Sequence, residues 1–510
     1  MIPKTERAVQ LIGPDQLVLN ESKPVPAPGP HQVLCKVEVV GLCFSDLKLL
    51  KQFTGHARKS EVISGIDKNV LAEIPSYVPG DKPTVPGHET VVRVVAAGDK
   101  VKGAKIGDRF LVQADYRWLP TAGSNAAFGY NFEGALQEYV LMDERVITSP
   151  ESESMLIPVP EDIAASAIAL VEPWACVDNS YAQHQRRSLK RGGKCLVVGN
   201  GTITAPNASR VQPDALPSGQ FDDVIYFGSD PTVAEKLFKN VATNGLFIIC
   251  QCGGKFGRPV TAQIGRIHYG NIRVVGTTGS DPSMALTVIP ATSEIRAGDT
   301  VNVVGAAGPM GMMHVIRNLS LGLRGVAVFA GDLNDERLAV LKRICDPVAK
   351  QNGAMLRPYN PQKESLAEAC SYIVIMAPVP ALVAQAVQNA GMRAIINIFA
   401  GIPVDKTGAF DLDAYIAKQM YFIGTSGSVL ADMKAVLAKV LARRLDTNLS
   451  VAAVSGLDGA IEGIRAVEKN LLPGKIMVYP SCNGLGLTPL GVSPWDKQAE
   501  DRLLACYKKT

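Results

Sequence analysis

The chain is predicted to be an α/β protein: an all-β, barrel-like module followed by two tandem units of parallel sheet, the first truncated and the second complete. Three observations predict it. Residues 1 to 150 are rich in Gly, Pro and Val, with short alternating runs such as Gln32 to Val40 and Thr90 to Ala97, the pattern of strands with one buried face. Val301 to Val304, four small or β-branched positions suited to a strand covered on both faces, lead into Gly305, Gly308 and Gly311 and then an apolar helical stretch. The middle of the chain also repeats itself. LKRGGKCLVVGNGTIT (189–204) parallels IRAGDTVNVVGAAGPMG (295–311), FDDVIYFGSDPTVAEKLFKNVATNGLFIICQCGG (221–254) parallels CSYIVIMAPVPALVAQAVQNAGMRAIINIFAG (370–401), and IRVVGTTGS (272–280) parallels MYFIGTSGS (420–428).

A length of 510 residues supports two to four domains, each with its own core. Charged residues at 20% and apolar residues at 47% fit an ordinary globular protein, and a net charge of +4 is too small to argue for nucleic acid or an anionic membrane. No apolar run reaches the roughly 18 to 20 residues of a membrane span. The start, MIPKTERAVQ, has no signal-peptide core, so a cytoplasmic protein is expected. The ten cysteines are scattered without a C-x2-C pair, which excludes a cysteine-rich zinc ribbon and offers no disulfide framework. Most are expected as small core residues, Cys43 excepted.

Gly305, Gly308, Pro309, Met310 and Gly311 make the turn of a dinucleotide site. Glycines there let the backbone approach a pyrophosphate, whose charge the following helix N-terminus favours. A second strand, Gly325 to Ala330, ends at Asp332, about 20 residues past the glycines, where a carboxylate accepts bonds from the adenosine ribose hydroxyls. That acid favours NAD, and Arg337 keeps NADP as the lesser expectation. In the first copy the interval from Gly199 to Phe221 is a third of that from Gly305 to Ser371, too short for a helix, strand, helix and strand. It carries Thr204 or its neighbours where a third glycine would close the motif, and it has no counterpart of Asp332. Only the second copy is expected to hold a dinucleotide; the first is expected to complete a sheet, form a subunit interface, or do both.

A second constellation comprises GLCFSD (Gly41 to Asp46), PGHE (Pro86 to Glu89) and VEPWAC (Val171 to Cys176), the last opening a helical stretch toward Arg187. A catalytic zinc needs about three protein ligands and one open position. Cys43 offers a thiolate, His88 an imidazole, and Glu172 or Glu89 a carboxylate. Each alone is more often a core or structural residue, so the joint occurrence in order is what points to a metal.

Together with GDRF (Gly107 to Phe110) and LDGAIEGIRAVEKNLLPGKIMVYP (Leu457 to Pro480), these motifs resemble the zinc-dependent medium-chain dehydrogenase/reductase superfamily, in particular its polyol and sugar dehydrogenase branch. The resemblance implies a GroES-like catalytic domain over residues 1–188, a truncated Rossmann-like domain over 189–293, a complete Rossmann NAD-binding domain over 294–444, and a return to the catalytic domain with a tail over 445–510. It implies zinc on Cys43 and His88 with Glu89 and Glu172, one directly and the other through water, or the two in exchange. Such a zinc would lower the pKa of an alcohol so that its alkoxide expels hydride to the nicotinamide. Ser45 matches the family's hydroxyl relay, although Ser45 with Asp46 would equally cap a helix.

Two departures stand out. Lys48 occupies the place where the family often has a relay histidine, and a lysine relays only if burial or charge depresses its pKa. With Lys51, His56, Arg58 and Lys59 around it, a phosphorylated or acidic sugar and a merely solvated basic loop both stay open. LVQADYRWLPTAGSNAAFGYNFEG, after Gly107 to Arg109, has no cysteine, so the structural zinc lobe is missing and one zinc per chain is expected. The long interval from Cys43 to His88 holds an inserted loop, Phe53 to Thr84, suited to roof a site or to make an oligomer contact. The expected activity is zinc-dependent, NAD-linked oxidoreduction of a secondary alcohol or ketone of a polyol, sugar or sugar phosphate, in a homo-oligomer (dimer or tetramer), with a weaker likeness to the sorbose-phosphate reductase type. The rivals are an epimerase or lyase returning hydride to a retained NAD, and a non-catalytic nucleotide-binding redox sensor.

Overall fold

The computed structural model describes residues 2–205, 208–425, 427–491 and 493–507; Ser426, inside the MYFIGTSGS repeat, falls outside them. The chain forms two compact units, Met1–Ala175 with Ser428–Thr510, and Cys176–Gly427.

The first unit is built on an eight-stranded sheet whose central strand, Gln32–Gly41, is rich in valine and buried along most of its length. It pairs antiparallel with Glu89–Ala97, in a register that sets Gly41 opposite Glu89, and with Tyr139–Asp143. The closing segment of the chain joins the same strand: Lys475–Val478 pairs antiparallel with it, Met477 opposite Gly41. Thus residues remote in sequence meet at one end of one strand. The inserted loop carries two short 3-10 turns, Phe53–Gly55 and Ala57–Lys59, and a helix, Lys68–Ala72. Lys59 is fully buried and ties that loop down by donating to the carbonyls of Val78 and Lys82.

The second unit contains two parallel sheets. The larger runs Met355–Tyr359, Ala327–Gly331, Thr300–Val304, Cys370–Ile375, Ala390–Ile398, Tyr421–Ile423, with every neighbouring pair parallel. The smaller runs Ser209–Val211, Cys195–Val198, Phe221–Phe227, Val241–Cys250, Arg273–Thr277. Apolar β-branched runs suit such strands, which are covered on both faces. Between Gly199 and Phe221 stand the three-residue strand Ser209–Val211 and, among the described residues, no helix. The second copy has the helices Pro309–Ser320 and Asp335–Asn352 in the matching interval.

The helix opening at Val171 ends at Ala182, short of Arg187. All ten cysteines are unbonded, and seven of the ten are at least partly covered within strands or helices or buried outright. Among the described residues no helix is long and apolar enough to cross a membrane.

Candidate active site

Cys43 sits at the N-cap of helix Phe44–Gln52, and Asp46 in the first turn accepts from the Cys43 backbone N–H at 3.1 Å. Asp46 therefore does cap the helix, and it also accepts from His88 Nδ1 at 3.1 Å. That bond turns the other ring nitrogen, Nε2, toward Ser45 Oγ at 3.2 Å, while Ser45 Oγ reaches Cys43 Sγ at 3.1 Å. His88 follows Gly87, whose φ of +96° and tight seat against Val40 and Leu136 suit glycine alone.

Cys43, His88 and Glu89 bring one ligand atom each to within 4.8 Å of one another. His88 and Glu89 are buried and Cys43 is half-buried. Glu89 Oε1 accepts from Lys475 Nζ at 2.6 Å, whereas the buried Oε2 has no partner among the described residues. A buried, unpaired carboxylate oxygen is costly to leave unmet. Beside a thiol and an imidazole whose second nitrogen is held by a carboxylate, it is the donor set and supporting shell that zinc takes. The residues present therefore fit a zinc ion.

The electrostatics point the same way. Burial pulls the His88 imidazole down, but Asp46 and Tyr130, with a bond toward Cys43, more than offset it and hold its pKa well above the ordinary value, so a metal would displace a proton on binding. Burial likewise works against the Lys475 ammonium, and the Glu89 carboxylate and the Cys43 thiol raise it on balance.

Glu172 lies in the first turn of helix Val171–Ala182 and is half-buried. Its carboxylate stands outside the three-ligand cluster. It is near enough to feel it: burial raises its pKa, His88 opposes that rise and Glu89 adds to it. Lys48 is exposed on the same helix as Ser45. Its charge, after burial and Arg58, helps push His56 down to about 4.

The basic loop is largely committed to structure. Lys51 pairs with Asp15 at 2.8 Å and Glu468 at 2.6 Å. Lys59 is buried among carbonyls, and burial lowers its pKa to about 8. Arg58 contacts Asp115 at 3.4 Å and lies over the Tyr130 ring at 5.3 Å, and Tyr130 in turn stacks near His56 at 5.1 Å and His88 at 6.0 Å. Lys475, Tyr130 and the second role of Asp46 were not visible in the linear chain. Lys475 reaches Glu89 across nearly the whole sequence, and Tyr130 sits in an unpatterned Gly-rich run; Asp46 alone carried a signal, its place in GLCFSD.

In the second unit, Gly305 has φ of +85°, and a Cβ on Gly311 would stand 2.3 Å from the Gly305 carbonyl oxygen. Both glycines are required for the close turn. Pro309 opens helix Pro309–Ser320, with Met310 in its first turn and Gly308 as an N-cap that supplies no side-chain acceptor. Asp332 follows strand Ala327–Gly331; its Oδ2 accepts from the Ala307 N–H at 3.0 Å and its Oδ1 from the Asn334 N–H at 3.1 Å. Arg337 donates to the Ala307 carbonyl from Nε at 3.0 Å and Nη2 at 2.6 Å. Strand, glycine turn, helix N-terminus and acid thus converge, with Arg337 laid along the turn.

The first sheet lacks that convergence. Gly199 repeats the positive φ, +91°, yet a Cβ on Gly201 would fall 1.9 Å from the Phe227 ring, which occupies the space beside the turn.

The family described as "Alcohol dehydrogenase GroES-like domain" matches residues 29–151. The sorbitol dehydrogenase of Halalkalibacterium halodurans is 25% identical over 194 residues, 36% of this chain and 46% of that protein. The D-xylulose reductase of Morganella morganii is 25% identical over 289 residues, 52% of this chain and 77% of that protein, and the (R,R)-butanediol dehydrogenase of Bacillus subtilis is 29% identical over 197 residues, 35% and 46%. The chain spans about half the length of the sorbitol and butanediol dehydrogenases it matches. Among solved structures, 2R,3R-butanediol dehydrogenase from Bacillus subtilis superposes with a TM-score of 0.54 at 17% identity, covering 93% of this chain and 100% of its own. A zinc-binding dehydrogenase from Sinorhizobium meliloti bound to NADP gives 0.52 at 15%, covering 94% and 100%. At such identities the superpositions speak for the fold, a GroES-like domain with a Rossmann domain.

Proposed function

We propose that the chain is a zinc-dependent medium-chain dehydrogenase/reductase that transfers hydride between NAD and a secondary alcohol or ketone of a polyol or sugar. The observation that carries the reading is the Cys43, His88 and Glu89 cluster with its unmet Glu89 oxygen. Cys43, His88 and Glu89 would hold zinc, with Glu172 poised as the exchanging or water-bridged carboxylate. Zinc supplies Lewis acidity that lowers the pKa of a bound alcohol.

The chain's own residues do the rest. Asp46 fixes the His88 ring, and Lys475 neutralises one Glu89 oxygen while the other has no partner among the described residues. Ser45, bonded to both His88 and Cys43 positions, is placed to pass the substrate hydroxyl proton outward. Lys48, exposed on the same helix, is the less supported onward relay. Tyr130, His56 and Arg58 form an aromatic and cationic wall beside the cluster, suited to a polar, hydroxyl-rich substrate. Relatives named for sorbitol, xylulose and butanediol support that substrate class. With Lys51 and Lys59 engaged elsewhere and Arg58 against Asp115, a phosphorylated substrate draws little support from this loop.

Gly305, Gly308, Pro309, Met310 and Gly311 would seat the pyrophosphate, and Asp332 the ribose. NAD is preferred over NADP because Arg337 Nε and Nη2 both donate to the Ala307 carbonyl and a 2′-phosphate would meet Asp332. We read the smaller sheet as a truncated duplicate of the larger, supported by the three repeated segments and the matched strand order, and as carrying no nucleotide, supported by the missing helix and the Phe227 ring. One zinc and one NAD per chain follow.

The test is Cys43→Ser with Gly311→Val as a separate variant. The first should lose zinc and turnover while still binding NAD; the second should lose NAD binding while keeping zinc. Full NADH production by Cys43→Ser would refute the metal assignment.

A further inference from the structure

The two parallel sheets of the second unit meet through a self-complementary face. Aligning IRVVGTTGS with MYFIGTSGS makes Val260, Thr261 and Ala262 the counterparts of Gly408, Ala409 and Phe410. Both segments are strands, and they pair antiparallel with Val260 opposite Phe410, Thr261 opposite Ala409 and Ala262 opposite Gly408. Thr261 and Ala409, counterparts of each other, are paired at the centre. Antiparallel pairing of equivalent strands is what a two-fold axis produces.

The surrounding contacts repeat the relation. Gly276 and Gly424 are counterparts, as are His268 and Ile416: a Cβ on Gly276 would stand 2.6 Å from the Ile416 side chain, and one on Gly424 would stand 2.7 Å from the His268 backbone. Gly265 lies against the carbonyls of Ile402 and Pro403, and its counterpart Asp413 accepts from the N–H groups of Phe256 and Gly257 at 3.0 Å each. In an isologous contact residue i meets j and j meets i, as the Thr261–Ala409 pair and the Gly276–Ile416 and Gly424–His268 contacts do, while Asp413 meets the loop neighbouring the counterpart of Ile402 and Pro403.

The face also closes two sheet edges. Arg273–Thr277 ends the smaller sheet and Tyr421–Ile423 ends the larger. Tyr415 Oη donates to the Val274 carbonyl at 2.8 Å and accepts from the Phe422 N–H at 3.0 Å, bridging the two edge strands, and Arg273 Nη2 donates to the Gly424 carbonyl at 3.1 Å. One apolar core contains residues of both sheets, including Val274, Ile264 and Phe238 with Phe422, Leu412 and Phe410. An edge strand left bare invites pairing with another chain, so its cover has a purpose.

We propose that the smaller sheet is a built-in subunit: having given up the nucleotide, it fills on the cofactor-carrying sheet the isologous face that a second copy of that sheet would otherwise fill. This rests on reading the smaller sheet as a duplicate of the larger, and not on the dehydrogenase reaction. The partner of this face is the chain's own earlier copy, and the face is closed to a second chain.

The pair on the pseudo-axis supplies the test, because Thr261 and Ala409 are both exposed and neither is assigned to zinc or NAD. The full-length Thr261→Cys/Ala409→Cys protein, mixed from isotopically light and heavy batches, is treated with a short bis-maleimide and mapped by mass spectrometry. The expected result is a 261–409 bridge joining peptides of one isotope only, a single-chain mass under denaturing conditions, and turnover within about twofold of the parent, since surface changes of this kind are near neutral. Bridges joining light to heavy peptides would overturn the proposal by placing a second chain on this face. So would two cysteines that each react singly yet never bridge, since the pairing would then be absent. A parent enzyme with no turnover would count against the dehydrogenase reading and leave the bridge result to stand by itself.

Discussion

Gly41 shows how narrowly the Cys43, His88 and Glu89 cluster is drawn. Its place opposite Glu89 in the ladder leaves no room for a side chain: a Cβ there would stand 2.3 Å from Glu89 Oε2, the unmet oxygen. Gly41→Ala should therefore displace the carboxylate, dropping zinc content and lowering kcat/KM by roughly 10- to 100-fold, the size usual for disturbed support of a metal ligand; atomic absorption beside steady-state rates checks it, and unchanged zinc occupancy would contradict it. Lys475→Met strands a buried Glu89 charge, at a cost of about 3–5 kcal/mol. A lowered melting temperature, largely recovered in Lys475→Arg, is the expected pattern. A different carboxylate sets a pH slope. Burial outweighs the pull of Lys23 and raises Glu6 to about 7 from 4.5. Between those values the folded chain keeps a proton that the unfolded chain has released, so this contribution to stability is full below 4.5 and is lost as pH rises through about 7. Thermal unfolding at mildly acid and mildly alkaline pH should show Glu6→Gln flattening that decline, which is worth on the order of 3 kcal/mol. At this scale Cys43, His88, Glu89 and Ser45 were legible because short motifs keep ligand and neighbour close in sequence. Gly41, Lys475 and Tyr130 were not, because only the sheet register and the chain's return bring them to the cluster.

Among the elements, the strand, glycine turn, helix and acid of the larger sheet were readable almost residue by residue, with the second strand running Ala327–Gly331 where Gly325 to Ala330 was expected. Turn chemistry marks such a motif strongly. The turn is braced by Asp332, so Asp332→Ala should do more than remove a ribose contact: it frees the Ala307 N–H, raising KM for NAD about 10-fold or more and narrowing the preference for NAD over NADP, with kcat little changed. Initial rates with both coenzymes decide it; an unaltered ratio would argue that Arg337, not Asp332, sets the choice. The short strand Ser209–Val211 escaped the sequence reading because three residues carry no periodicity. The basic loop stayed open between two readings for another reason. Composition alone cannot distinguish a lysine facing an anion from Lys59, buried and spent on two backbone carbonyls.

On the scale of the whole molecule, the repeat was visible in the sequence, while the pairing of one copy with the other was not, since nothing in a linear repeat states that its copies face each other. On the proposed reading of the smaller sheet as a truncated duplicate the chain has one complete cofactor site, so binding of NADH by calorimetry should saturate at one per chain, and zinc at one per chain. A value of two for the nucleotide would restore the smaller sheet as a site. The central claim, a zinc- and NAD-dependent oxidoreductase of polyols or sugars, is tested most directly by following NADH absorbance at about 340 nm as the zinc-loaded chain meets NAD and a panel of polyols, sugars and sugar phosphates, with and without a chelator. The account predicts a rise with polyol or sugar that the chelator abolishes and added zinc restores. A flat trace from protein shown to hold both zinc and NAD, or a rise indifferent to the chelator, would contradict it.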